Sequence, residues 1–217
     1  MAPLMLDKFY AYLDRPLRIP VRFVLAALII PLALSYVTPM WRISMYAPQY
    51  PKGLVLDIFS YKLAAGNEGQ HLQEINTLNH YIGMKHLDRA QLSDLDWLPF
   101  GFGVLALMAL RVAAIGTVRS LIDLTVFNLY VCTFAFARFV YKLYIYGHDL
   151  DPTAPVKVQP FTPAIFGTKQ IANFTTHSYP GVGGFLILAY AAGITLLTVW
   201  YLWDGRRRAI RGISAAS

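Results

Sequence analysis

The side chains best placed for chemistry in this sequence are an imidazole and a thioether four residues apart. They are His80 and Met84, in the stretch Ile75-Asn76-Thr77-Leu78-Asn79-His80-Tyr81-Ile82-Gly83-Met84. On a helix that spacing sets both on one face. Imidazole with thioether suits a soft ion such as Cu(I), whereas zinc takes cysteine, carboxylate or further imidazoles. Met45 or Met40, or a loop histidine such as His148, would complete the set. The competing reading is structural: the methionines fill gaps in a small core, and His80 and His148 bond locally. Gly147-His148-Asp149-Leu150-Asp151-Pro152 also gathers an imidazole and two carboxylates. It is too short for an EF-hand loop, and a turn capped by Asp149 or Asp151 is expected there.

Other chemistries find little support. The chain lacks GxSxG, HExxH, a phosphate-binding glycine loop and a cysteine–histidine pair, so no catalytic residue is assigned and an enzyme is not the expected class. Its single cysteine, Cys132, sits in an apolar aromatic run and excludes an internal disulfide or CxxC site. No histidine falls within an expected span, so no integral haem is expected, and no nucleotide either.

The elements that must position these residues follow from composition. Of 217 residues, 56% are hydrophobic and 14% charged, against about 25% charged in an ordinary soluble domain. Apolar stretches of about 18 residues or more mark membrane spans, because in hydrocarbon the backbone must satisfy its own hydrogen bonds. The expected fold is an all-α integral membrane protein of four transmembrane helices with a small outside cap of mixed strand and helix. Residues 1–20 form an amphipathic interfacial lead, 21–37 a short first span containing Pro31, and 38–97 a polar segment. Within that segment Leu54 to Lys62 reads as a strand, and Leu72, Ile75, Leu78 and Ile82 fall at helical spacing, with Gly83 weakening the helix. Spans at 98–118 and 120–141 form a hairpin. Residues 147–181, rich in proline, read as an extended, turn-filled loop. A span at 182–203 and a basic tail at 204–217 complete the chain.

The net charge of +7 is concentrated near the span ends, which explains it by bilayer orientation and gives no reason to invoke nucleic acid. Arg15, Arg18, Arg22, Arg119 and the C-terminal arginines place both termini in the cytoplasm, leaving 38–97 and 147–181 outside, in the periplasm of a Gram-negative cell. All five histidines lie in those two segments. Inside the bilayer, Arg111 and Asp123 are expected to pair, and Lys142 and Arg138 to reach toward the outer surface.

Three strings carry a resemblance: Ile75 to Met84, Tyr146-Gly147-His148-Asp149-Leu150-Asp151-Pro152 with Pro160-Phe161-Thr162-Pro163, and Ala47-Pro48-Gln49-Tyr50-Pro51-Lys52-Gly53-Leu54. Over Met40 to Pro180 the chain resembles an uncharacterised family of bacterial multi-pass membrane proteins associated with maturation of periplasmic copper enzymes of the nitrous-oxide-reductase type. The resemblance implies copper handling, with His80 and Met84 as metal candidates and Met45 and His148 next. The expectation is therefore an inner-membrane protein that holds Cu(I) and delivers it to a periplasmic or membrane copper enzyme. The alternative is a non-catalytic scaffold subunit of a membrane redox complex. A copper-dependent membrane enzyme is a third reading, short of ligands.

Overall fold

The computed structural model describes residues 5–171 and 173–214, with side chains over 9–171 and 173–208. The outermost ends of the expected lead and tail, 1–4 and 215–217, lie outside the described residues. In chain order the elements are α1 (Met5–Leu13), α2 (Ile19–Leu34), β1 (Trp41–Ala47), β2 (Tyr50–Ile58), β3 (Leu63–Ala65), α3 (Gln70–Tyr81), α4 (Asp94–Ile115), α5 (Val118–His148), β4 (Gly167–Ile171), β5 (Phe174–Pro180) and α6 (Val182–Ser214). They form two compact units, a helical one and one built on a sheet.

Two expectations of the all-α, four-span fold are overturned. The first is the all-α class itself, with strand limited to a small mixed cap: five strands form one antiparallel sheet in the order β3-β2-β1-β5-β4. The proline-rich segment expected as a loop supplies two of those strands. Its prolines end at Pro163 and resume at Pro180, which leaves 164–179 free to pair. The second is the span count. Among the described residues, only α4, α5 and residues Val182–Arg208 of α6 are long and apolar enough to cross a membrane. The expected first span is a helix of 16 residues, roughly 24 Å long against a hydrocarbon core of about 30 Å.

In the three long helices only 28%, 28% and 22% of the most apolar window is buried within the protein. Phe100, Leu107, Ile115 and Leu196 are exposed although apolar. A water-soluble bundle hides such residues, so the outward-facing apolar surface is that of a protein in contact with lipid. Inside the helical unit Leu25, Leu105, Leu121, Leu124, Tyr190 and Ile194 are fully buried. The polar groups among them find partners: Tyr190 Oη donates to the Leu105 carbonyl at 3.2 Å, and the Thr125 and Thr198 hydroxyls meet at 2.6 Å. The hairpin between α4 and α5 turns at Thr117, whose amide donates to Ser120 Oγ at 2.8 Å while the Ser120 amide bonds back to Thr117 Oγ1. This reciprocal bonding starts α5.

Span ends extend past the hydropathic boundaries because charges near them are paired. Asp94, in the first turn of α4, takes both Nε and Nη2 of Arg138 at 2.9 and 3.2 Å, and Trp97 Nε1 at 3.0 Å. Lys142 Nζ reaches the Gln91 carbonyl at 3.0 Å. Arg111 and Asp123 are both exposed, and among the described residues no ion pair joins them.

In the sheet unit, strands and α3 share one core. Leu54 and Leu56 of β2, Ala47 of β1 and Phe174 of β5 pack with Ile75 and Leu78 of α3 and with Ile82 just past its end. Alternate positions lie on the opposite face: Arg42 pairs bidentately with Asp57 at 2.7 and 2.8 Å, and the Tyr46 and His177 rings meet edge-on. Ile75 is 1% exposed at the centre of the core. Ile75→Ala is expected to destabilise this unit by about 2–5 kcal/mol, measured as lost amide-exchange protection in β1, β2 and β5. Unchanged protection would contradict the assigned core.

Candidate functional site

The helix that carries the motif ends sooner than its apolar spacing implies. Its last turn closes with the Gly83 amide donating to the His80 carbonyl at 3.2 Å and the Met84 amide to the Asn79 carbonyl at 2.8 Å. Gly83 is in the left-handed region at φ 78°. These bonds make a Schellman stop, in which the residue after the glycine packs back onto the helix. Met84 is that residue, and it packs against the core of the sheet unit. His80 and Met84 are thus not neighbours on one helical face. Leu87 is fixed next: the Asn76 side chain bonds both its amide (2.7 Å) and its carbonyl (3.2 Å).

Onto this helix end folds the second string. The Asp151 amide donates to the Gly83 carbonyl at 2.8 Å and the Val156 amide to the Tyr81 carbonyl at 3.0 Å. Tyr146 Oη bonds the His86 carbonyl at 3.1 Å, and Lys85 pairs with Asp149 at 2.5 Å. The Pro160–Pro163 part of that string joins through Gly147, whose carbonyl accepts the Phe161 amide at 2.9 Å. A Cβ at Gly83 would lie 2.8 Å from the Asp151 carbonyl oxygen, and one at Gly147 would collide with the Phe161 carbonyl. Glycine at both places is what allows the strands of chain to touch. Ile82, His148, Leu150, Asp151, Val156 and Lys157 contribute to a shallow cleft of about 210 Å³ here.

The other candidate ligands have contacts of their own. Met45, on β1, packs against the same core as Met84. His148 is the final residue of α5 rather than part of a loop; its ring stacks on Tyr144 at 3.8 Å and its Nδ1 lies 2.9 Å from the Tyr144 carbonyl. His71 Nδ1 accepts the Val55 amide at 3.1 Å, and His177 Nδ1 meets Thr168 Oγ1 at 2.7 Å. Instead, His80 stands beside His86, with ring centres 6.4 Å apart and planes at 48°. Both are exposed. Sequence reasoning passed over His86 because i,i+6 places two residues on no common helical face; the turn at Gly83 brings it back.

Asp151 lies near this pair. Hydrogen bonds from the Thr153 hydroxyl (2.6 Å) and amide (2.8 Å) hold its carboxyl below the ordinary value of 3.8, helped by the charge of His80. Among the described residues no three His, Cys, Asp or Glu side chains converge as a metal cage. No protein-family model, no curated protein and no solved structure matches the chain. The family resemblance rests on its strings alone.

Two outcomes test this geometry. Gly83→Ala is expected to release the 149–156 segment, raising amide exchange at Asp151 and Val156 while the spans stay protected. Because Asp151 has a depressed pKa, its contribution is present at neutral pH and is lost as pH falls below 3.8. The Thr153 amide should lose protection over that acid range in the native protein. In Asp151→Asn it should show no acid step.

Proposed function

We propose that this is a membrane-anchored accessory protein that binds Cu(I) between His80 and His86 and passes it to a copper enzyme on the same side of the membrane. The observation that carries the reading is the separation of the two rings. An ion held by one ring nitrogen from each side, with metal–nitrogen bonds of about 2 Å, puts the ring centres about 6 Å apart, and these stand at 6.4 Å. Cu(I) is the soft ion that accepts so few ligands, which fits a pair without a third donor. Exposure of both imidazoles suits transfer to a partner, since a buried site would have to open first. Asp151 adds negative charge nearby. Met84 and Met45 pack against the core of the sheet unit.

The orientation proposed is the one read from charge. Arg18, Arg119 and Arg208 belong to one end of the helical unit, tied there by Asp204 and Asp14. That end faces the cytoplasm under the positive-inside rule.

A second reading, a scaffold subunit that binds no cofactor, is favoured by the outer face of the sheet. Tyr46, Tyr179 and Phe166 are exposed there, with Phe166 at 67%. Lipid accounts for exposed aromatics on a span, but not on a strand of this unit.

Copper measured in protein purified in mild detergent under reducing conditions separates the two. About one equivalent is expected, lost in His80→Ala and in His86→Ala, and retained in Met84→Ala, whose defect should be stability alone. Copper that persists in both histidine variants would refute the site. A metal-free protein that co-purifies with fixed partners would favour the scaffold.

A further inference from the structure

The helical unit has at one end a feature that copper binding does not use. The segment between α1 and α2 pairs with the turn between α4 and α5: the Leu17 amide donates to the Gly116 carbonyl at 3.2 Å and the Val118 amide to the Arg15 carbonyl at 3.1 Å. That segment and the end of α1 are tied to α6, where Tyr12 Oη donates to the Tyr201 carbonyl at 2.5 Å and the Arg18 amide to Tyr201 Oη at 2.9 Å. Three parts of the chain rich in arginine are thereby held together.

The arginines sit over aromatic rings. Arg207 lies 3.9 Å from the Trp203 ring centre, Arg18 5.4 Å from Trp200, Arg15 5.8 Å from Tyr12 and Arg119 5.9 Å from Tyr10. A guanidinium stacked this way keeps its fork of N–H donors turned outward. Arg18 and Arg119 have carboxylate partners in Asp204 and Asp14, at 3.5 and 3.1 Å. Arg15 and Arg207 form no ion pair with a carboxylate among the described residues. Positive charge therefore exceeds its local compensation. Ile19, Phe23, Ile115 and Trp203, in the same unit, are exposed apolar side chains.

We propose that this end of the helical unit is a binding surface for anionic glycerophospholipids, with Arg15 and Arg207 each available to a lipid phosphate and the acyl chains lying on the exposed apolar residues. Stacked arginines alone would accept any phosphate. The apolar neighbours make a lipid the occupant, because free phosphate gains nothing from them. Tryptophan and tyrosine at this level match the headgroup region, where amphipathic rings concentrate.

The test uses the full chain in detergent, loaded with phosphatidylglycerol or phosphatidylcholine and examined by native mass spectrometry. Phosphatidylglycerol should be retained in preference, and inorganic phosphate should not displace it. Arg15→Gln with Arg207→Gln should weaken retention by about fivefold per arginine. Arg42→Gln, which removes an equal charge from the sheet unit, should leave it unchanged. In the unaltered protein, raising salt should lower phosphatidylglycerol retention. Equal retention of the two lipids, or a double variant that binds as the parent does, would overturn the proposal. Displacement by inorganic phosphate would show a bare anion site in its place.

Discussion

The pairing of β1 with β5 is the interaction on which the sheet unit depends. It joins Trp41–Tyr46 to Thr175–Pro180 by an antiparallel ladder, and the Trp41 indole reaches Ser178 Oγ at 2.8 Å. Without it, the sheet would divide into a three-stranded piece, β3-β2-β1, and a separate β5-β4 hairpin, and a lone hairpin is of marginal stability in water. With it, the sheet has five strands and a face broad enough to cover α3. The placement of the motif helix, and so of His80 and His86, follows from that cover.

A second constraint is close backbone approach. The string motifs look like candidate ligand sets when read as side chains, yet much of their content is spent on fitting strands of chain together. Ile75, Leu78 and Ile82 fill the core, Asn76 clamps Leu87, and Gly83 and Gly147 make room for Asp151 and Phe161. Little is left over for chemistry, and His80 is part of it. A motif can be specific as a string because geometry demands it, with only one or two members facing outward.

Legibility in the sequence followed the strength of the physical signal. The long apolar helices were plain from hydropathy, since no other element hides its backbone in hydrocarbon. The start of α4 was placed short, because Asp94 looks like a boundary charge until it is seen to pair with Arg138. β2 was partly visible through its β-branched and aromatic run. β4 and β5 were not: Gly167–Ile171 and Phe174–Pro180 are rich in Thr, Lys, Gln and His, as suits an edge strand and its neighbour, and flanking prolines suggested a loop. The His80–His86 pair was half legible. His80 stood out, but the left-handed turn that swings His86 beside it could be read only as a helix weakness at Gly83.

The ladder between β1 and β5 also has a consequence in time. Trp41 and Ser178 are 137 residues apart, and two long apolar helices lie between them in the sequence. At a synthesis rate of about 5–20 residues per second, the first hairpin leaves the ribosome on the order of ten seconds before its partner strand exists. For that interval β1 presents an unpaired edge, the form of backbone most prone to join another chain. Strand order thus makes the nascent chain vulnerable at a moment set by translation, and assembly of the sheet must wait on insertion of the helices that separate its halves.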